Sequence, residues 1–308
     1  MADLSGPTLR VESLTKRFRR SVTAVRDLSF TVQPGRVTGF LGPNGSGKTT
    51  TLRCLLALVR PTAGQALVDG TPYPRLADPL RTVGAALEAS SFHPGRTGRN
   101  HLRVVAAAAG LPSRRADEVL EQVGLSAAAN RRTVEYSLGM RQRLALATAL
   151  LGEPGALVLD EPANGLDPEG IAWLRGFLRD RAARGGTVLV SSHVLAEVQQ
   201  TVDDVVIINH GALVHAGPLS GLTRVRPVLV RSPQADQLAA LLRSTRPDIA
   251  IDERPDGALR VRGLESDEIG HLAFTAGCEV HELSREPDDL ERVFLELTAD
   301  GPPGGAGR

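Results

Sequence analysis

The stretch FLGPNGSGKTTTLR, residues 40–53, lies between an apolar run and the first helical pattern of the chain. It fits the spacing G-x-x-x-x-G-K-[S/T] at every fixed position, from Gly42 to Thr49. Glycines let backbone N–H groups approach an anion without an intervening Cβ, and the start of the next helix adds unpaired N–H groups. The stretch therefore predicts a phosphate-binding loop between a strand and a helix. A glycine-rich turn without a ligand is the alternative.

Lysine is rare in this chain. Of the 36 basic residues, only Lys16 and Lys48 are lysines. A compact ammonium group reaches into a crowded set of phosphate oxygens where a planar guanidinium is too broad. We therefore expect Lys48 to contact the terminal phosphates of a nucleotide, and Thr49 to offer its hydroxyl to Mg²⁺. The other loop residues predicted to bind nucleotide are Gly42, Pro43, Asn44, Gly45, Ser46, Gly47 and Thr50.

Length and charge limit the class of protein. A chain of 308 residues is long enough for about two domains. With 36 basic and 35 acidic residues, there is no overall charge that would favour nucleic acid or a membrane surface. The two cysteines have neither disulfide nor metal spacing, which favours a reducing compartment. Neither a signal peptide nor a membrane-spanning run is recognisable, so we expect a cytoplasmic chain.

The N-terminal two thirds predict an α/β domain. Three short β-like runs, at residues 8–18, 24–32 and 36–42, are expected to pair as a small antiparallel layer. Helical spacing of apolar residues from Gly98 to Leu151 predicts a helical insert, at about residues 90–152. Strands and helices alternate after this insert, which favours a parallel sheet covered on both faces. The predicted nucleotide-binding domain is residues 1–219.

The C-terminal third predicts a second, smaller domain. From about residue 227 the strand and helix patterns follow the order βαββαβ, with a closing helix. That order fits a small ferredoxin-like α+β module, here residues 220–299. Residues 300–308, DGPPGGAGR, are expected to be disordered.

A second motif consists of the apolar run 156–159 followed directly by Asp160 and Glu161. A buried strand that ends in two carboxylates puts charge at the edge of the sheet where α/β folds bind ligands. We expect Asp160 to lie beside Thr49 and hold Mg²⁺, and Glu161 to polarise an attacking water. An ordinary strand end is the alternative, but the matched phosphate loop upstream favours the catalytic interpretation.

Residues 135–170 carry a series of motifs that resembles the ATP-binding cassette (ABC) proteins, and the resemblance covers about residues 9–219. Ser137, Gly139, Gln142 and Arg143 resemble the family's signature, Asp160-Glu161 its Walker B motif, and Gly165-Leu166-Asp167 its D-loop. The resemblance implies a P-loop NTPase fold with an antiparallel β subdomain and a helical insert.

The resemblance also implies a dimer. It places Ser137 and Gly139 against the γ-phosphate of ATP held by the opposing subunit, with Asp167 near the nucleotide. A serine at a helix start does form an anion site, but this one has no glycine loop or lysine of its own. The working unit is therefore expected to be a head-to-tail pair with two ATP molecules between the subunits. Leu138 and Met140 depart from the family's usual glycine and glutamine, which bears on how tight the ATP sandwich is. A capped amphipathic helix is the alternative.

The resemblance also implies roles for three further residues. His193, at the end of TVLVSSH, resembles the switch histidine, which contacts the γ-phosphate and the attacking water. Phe18 stands where related cassettes keep an aromatic ring that stacks on adenine; a core phenylalanine is the alternative. Glu88 stands where the family carries a glutamine that senses Mg²⁺. A carboxylate there can still bind metal or water.

Residues 88–102 resemble the segment that docks on a transmembrane subunit, and several bacterial drug, bacitracin and lantibiotic export ATPases are similar here. The resemblance implies the ATP-hydrolysing subunit of an exporter. It would act at the cytoplasmic face of the membrane and move a drug, antibiotic or lipid-like substrate through a separate permease.

Two alternatives remain: a soluble ABC ATPase acting on nucleic acid or ribosomes, and a regulatory partner in a heterodimer. The balanced charge argues against nucleic acid, and Glu161 with His193 against an inactive partner. The choice between homodimer and heterodimer stays open.

Overall fold

The computed structural model describes residues 6–18, 22–87, 92–194, 199–222 and 227–285. The chain passes from one compact unit to a second between Leu219 and Ser220. Several predictions fall outside the described residues: the metal-sensing role of Glu88, the closing helix of the second domain, and the tail 300–308.

The strands of the first unit are, in chain order, β1 (Leu9–Arg17), β2 (Thr23–Val32), β3 (Val37–Leu41), β4 (Ala63–Val68), β5 (Val83–Ala86), β6 (Ala156–Leu159), β7 (Thr187–Ser192), β8 (Asp204–Asn209) and β9 (Ala212–Pro218). Its α-helices within the described ranges are α1 (Lys48–Leu55), α2 (Pro79–Thr82), α3 (Gly98–Ala108), α4 (Arg114–Gln122), α5 (Leu138–Leu150) and α6 (Pro168–Ala183).

A six-stranded sheet, in the order β5-β6-β7-β3-β8-β9, positions the functional residues. Its first five strands run parallel, and β9 pairs antiparallel with β8 at the edge. Strands β3, β6 and β7 are buried at every position. Continuous apolar runs of this kind are typical of parallel strands that are covered on both faces. The predicted parallel sheet is confirmed, except at its antiparallel edge.

The prediction that residues 36–42 pair with the two N-terminal strands is wrong. β3 lies instead between β7 and β8 in the parallel sheet, and the antiparallel sheet has the order β2-β1-β4. Buried and exposed positions are interspersed along β1 and β2, as expected of a sheet with one solvated face. Burial on both faces, rather than proximity in the chain, decides which sheet takes β3.

The predicted helical insert is confirmed as α3, α4 and α5. Thr97 caps α3 by accepting a hydrogen bond from the N–H of Asn100, and Ser137 caps α5 in the same way. Arg115 of α4 is buried and donates hydrogen bonds to the carbonyls of Leu150 and Leu151, at the end of α5. This arginine therefore ties two helices of the insert together.

The second unit contains β10 (Val228–Arg231), α7 (Ala235–Thr245), β11 (Ala250–Glu253), β12 (Leu259–Arg262), α8 (Ser266–Thr275) and β13 (Glu282–Arg285). The predicted order βαββαβ is thus confirmed within the described residues. The strands form an antiparallel sheet in the order β11-β12-β10-β13. Apolar side chains from the strands and from both helices form a core of its own.

Gly84 lets β5 pass close to the end of α5. A Cβ at this position would collide with the carbonyl oxygen of Ala149 and lie 2.7 Å from Cγ of Pro154. We expect Gly84→Ala to force the strand away from the helix and to lower the free energy of unfolding by about 1–3 kcal/mol.

Gly176→Ala is the matched control, since a Cβ there meets no atom within 4 Å and alanine is the better helix former. We expect this change to be neutral or to stabilise by up to about 1 kcal/mol. Chemical unfolding followed by the fluorescence of Trp173, the single tryptophan, reports on the first unit. Equal unfolding midpoints for Gly84→Ala and the wild type would contradict the close packing.

Candidate active site

The loop between β3 and α1 is shaped by a glycine at its last position. Gly47 has φ 107°, in the left-handed region, and a Cβ there would collide with the carbonyl oxygen of Ala24. Gly47 is also the N-cap of α1, which therefore has no side-chain cap. The N–H groups of the first turn of α1 thus remain available to an anion.

Lys48 is held inside this loop and is only 6% exposed. Its Nζ donates to the carbonyl oxygens of Gly42 at 2.7 Å and Pro43 at 3.3 Å, and lies 3.7 Å from Oε1 of Glu161. Burial lowers the pKa of the Lys48 ammonium, and the nearby carboxylates of Glu161 and Asp160 oppose that shift. The loop therefore presents a buried cation to the carboxylates at the end of β6.

A hydrogen bond joins the loop to β6. Thr49 Oγ1 donates to Oδ2 of Asp160 at 2.7 Å, although the two residues are 111 positions apart. The other carboxylate oxygen of Asp160 accepts a hydrogen bond from Ser191 of β7. The predicted meeting of Thr49 and Asp160 is confirmed as a contact.

Glu161 and His193 also meet at this edge of the sheet. Oε2 of Glu161 lies 2.8 Å from Nδ1 of His193. Their strands, β6 and β7, are parallel neighbours, so the residues that follow them emerge side by side. One carboxylate thus contacts both the imidazole and the Lys48 ammonium.

These residues surround a cleft of about 340 Å³, a volume typical of small-molecule sites. Its lining residues are Ala24, Asn44, Gly45, Gly47, Lys48, Thr49, Thr50, Glu161, Asn164 and His193. Two of these, Ala24 and Asn164, are missing from the sequence prediction. Ala24 belongs to β2 in the other sheet, and Asn164 follows the Asp160-Glu161 motif. Neither residue is part of a recognisable sequence motif, so the sequence did not indicate them. Of the predicted loop residues, Gly42 and Pro43 contribute their carbonyls to Lys48, and Ser46 is buried.

The donor atoms suit a hard cation. A hydroxyl and a carboxylate, from Thr49 and Asp160, are oxygen ligands of the kind that Mg²⁺ prefers. Within the described part of the chain, no group of three or more His, Cys, Asp or Glu side chains could hold a metal ion on its own. Mg²⁺ in proteins is commonly bound by one or two carboxylates together with substrate phosphates, which fits this arrangement.

Three predicted residues lie at helix starts, apart from those that line the cleft. Ser137 Oγ accepts from the N–H of Met140 at 3.2 Å, and Asp167 Oδ1 accepts from the N–H of Gly170 at 2.8 Å. Gly139 packs on the segment that precedes α6, since a Cβ there would lie 2.9 Å from the carbonyl oxygen of Gly165. The fold of one chain therefore does not bring them into the cleft.

Phe18 follows the end of β1 and is 44% exposed. The Nζ of Lys16 lies 5.0 Å from the centroid of its ring, within cation–π distance. The ring thus belongs to the surface rather than to the core, which removes the alternative left open by the sequence.

A family model described as ABC transporter matches residues 25–164, and a model described as a domain of unknown function matches residues 226–291. The chain is 37% identical over 303 residues to the bacitracin transport ATP-binding protein BcrA of Bacillus licheniformis, covering 96% of this chain and 99% of that protein. It is 33% identical over 312 residues to the daunorubicin resistance ATP-binding protein DrrA3 of Streptomyces coeruleorubidus, covering 97% and 98%.

A solved ATP-binding subunit of an ABC transporter matches the fold with a TM-score of 0.63, at 28% identity over 70% of this chain and 92% of that one. None of the helices in the described ranges is both long and apolar enough to cross a membrane. Identity above 30% along almost the whole length of both relatives shows the family. The chain belongs to the ATP-binding subunits of ABC transporters of the drug and antibiotic exporter type.

Proposed function

We propose that the cleft binds MgATP between the loop 42–49 and the end of β6, and that its hydrolysis powers export of a drug or antibiotic. Family membership makes the chain a transport-coupled ATP hydrolase. The observation that carries the assignment to this cleft is the contact of Glu161 with both Lys48 and His193, next to the Thr49–Asp160 hydrogen bond. The residues proposed as phosphate ligands, metal ligands and proton acceptor thus lie together at one edge of the sheet.

Each side chain has a distinct task in this proposal. Lys48 and the N–H groups of the loop bind the phosphates, while Thr49 and Asp160 would hold Mg²⁺. When bound, Mg²⁺ supplies positive charge to the phosphate oxygens. Glu161 orients the attacking water and accepts its proton, and His193 holds the Glu161 carboxylate in place. Phe18 offers its exposed ring to adenine.

Lys48→Ala removes the buried cation, and we expect loss of ATP turnover because the γ-phosphate charge is no longer matched. Release of phosphate and binding of a fluorescent ATP analogue measure the two effects separately.

Lys48→Arg is the informative companion variant, because it keeps the charge and changes only the shape of the cation. We expect it to be inactive too, since the loop carbonyls of Gly42 and Pro43 enclose Nζ closely. Normal turnover by either variant would refute the proposed role of Lys48.

We further propose that the active form is a head-to-tail dimer, in which Ser137, Gly139 and Asp167 of one subunit complete the ATP site of the other. Their position supports this, since they lie at helix starts that do not line the cleft of their own chain. The start of α5 would there direct N–H groups toward an anion.

Glu161→Gln keeps the size of the side chain but removes the proton acceptor. We expect turnover to fall by about 10²–10⁴-fold while ATP stays bound. ATP that is not hydrolysed should hold the dimer together, which light scattering after size-exclusion chromatography would detect. ADP, which lacks the γ-phosphate, is the control and should leave the variant monomeric. A monomer under saturating ATP would contradict the dimer proposal.

Export through a separate permease is the proposed cellular role, with the chain docked on the cytoplasmic face of the membrane. The named activities of the relatives, bacitracin transport and daunorubicin resistance, support this class of substrate. Residues 1–219 would form the ATPase domain. The second unit, proposed as residues 220–299, would be a ferredoxin-like accessory domain, an assignment supported by its antiparallel order β11-β12-β10-β13.

Deleting the gene from its source organism should increase sensitivity to bacitracin or to daunorubicin, the compounds named for the relatives. A plasmid copy of the wild type should restore resistance, and the Lys48→Ala copy should not, because export needs ATP turnover. Minimum inhibitory concentrations measure the effect. Equal resistance in all strains would argue against an export role.

A further inference from the structure

Ser191 connects the two acidic residues of the site through a single hydroxyl group. It lies on β7 and is 0% exposed. Its Oγ donates to Oδ1 of Asp160 and accepts from the backbone N–H of Glu161 at 2.9 Å. A serine hydroxyl has one proton to donate and lone pairs to accept, so both bonds can exist at the same time.

The hydrogen bond from the N–H of Glu161 to the Ser191 hydroxyl supports a backbone conformation that residues other than glycine rarely adopt. Glu161 has φ 48°, in the left-handed region. Such a conformation costs on the order of 1 kcal/mol or more and persists only where the surroundings hold it. The regular pairing of β6 with β7 ends at Leu159 and Val190, so Glu161 lies beyond the ladder. Ser191 therefore satisfies an N–H that the sheet itself no longer pairs.

The carbonyl group of Glu161 is held as well. It accepts from the N–H of Asn164 at 3.2 Å and from Nε2 of Gln142 at 3.3 Å. Gln142 lies on α5, the helix that Ser137 caps. Both backbone polar groups of Glu161 are thus fixed, one by the central sheet and one by a helix of the insert.

The position of β7 explains why Ser191 can reach both acids. The strand lies between β6, which is followed directly by Asp160, and β3, which leads into the phosphate loop. Asp160 is consequently held on one oxygen by Thr49 and on the other by Ser191. A side chain at this point can set the distance between the metal-binding and the water-activating carboxylates.

We propose that Ser191 is a positioning residue for ATP hydrolysis, whose hydroxyl holds Glu161 in its left-handed conformation and in register with Asp160. The inference rests on the function proposed above. Ser191 is fully buried and does not line the cleft, so it acts through these two neighbours rather than on the nucleotide.

Ser191→Ala tests the proposal in the full-length chain. We expect turnover at saturating MgATP to fall by about 10- to 100-fold, as for partners that orient active-site ligands. The affinity for ATP, measured by equilibrium binding without Mg²⁺, should be unchanged, because the phosphate loop is intact. Thr187→Val is the matched control. It removes a second fully buried hydroxyl from the other end of β7, where Thr187 bonds to the carbonyl of Pro7, and should leave turnover unchanged.

Three measurements separate a positioning role from a purely structural one. If Ser191 acts through Glu161, adding Ser191→Ala to Glu161→Gln should cause no further loss of turnover at saturating MgATP. Ser191→Cys keeps a weak donor and acceptor in place and should retain more activity than Ser191→Ala, even where the alanine variant folds poorly. Unfolding followed by Trp173 fluorescence shows the stability of each variant.

The outcomes distinguish this inference from the function on which it rests. Normal turnover by Ser191→Ala, with Glu161→Gln inactive, would overturn the positioning role alone. Additive losses in the double variant would also overturn it, because Ser191 would then act through Asp160 and not by holding Glu161. Full activity of Glu161→Gln would instead refute the assignment of the proton acceptor.

Discussion

The hydrogen bond between Thr49 and Asp160 joins two motifs that are 111 residues apart, and the site depends on it. It exists because β3, β7 and β6 are consecutive parallel strands, so that the segments following them emerge at the same edge of the sheet. The phosphate loop follows β3, the two acids follow β6, and the histidine follows β7. A different strand order would leave the same sequence motifs intact and keep them apart.

At this edge of the sheet, the charge of the buried Lys48 is neutralised by contacts with other protein groups rather than by solvent. The buried Lys48 ammonium is surrounded by loop carbonyls and faces Glu161, which in turn contacts His193. Burial disfavours the charged lysine and lowers its pKa, while the carboxylates favour it. Each charged group therefore depends on its partners, because an unpaired charge at such a position is costly. Under the proposed function, a triphosphate with Mg²⁺ would enter an arrangement in which the Lys48 ammonium and the Glu161 carboxylate already face each other.

The N-termini of α1, α5 and α6 differ in how they are capped. The phosphate loop leads into α1 without a side-chain cap, whereas Ser137 and Asp167 cap α5 and α6 through their own side chains. The uncapped start lines the cleft of its own chain. The capped starts belong to the proposed contact with a second subunit, and the exposed Leu138 stands at the first turn of α5. The departure from the family's usual residue at Leu138 therefore changes the surface at the start of α5, while Ser137 still caps the helix.

The sequence by itself determined the local features: the phosphate loop, the run into Asp160 and Glu161, the helical insert, and the order of elements in the second unit. These could be predicted because spacing, capping and hydrophobic periodicity act over a few neighbouring residues. The tertiary structure alone decided that β3 leaves the N-terminal strands for the parallel sheet, that Ala24 and Asn164 line the cleft, and that Ser191 bridges both acids. These three features depend on pairing between strands that are distant in the chain and on burial on both faces of a sheet. A short stretch of sequence records neither the pairing nor the burial.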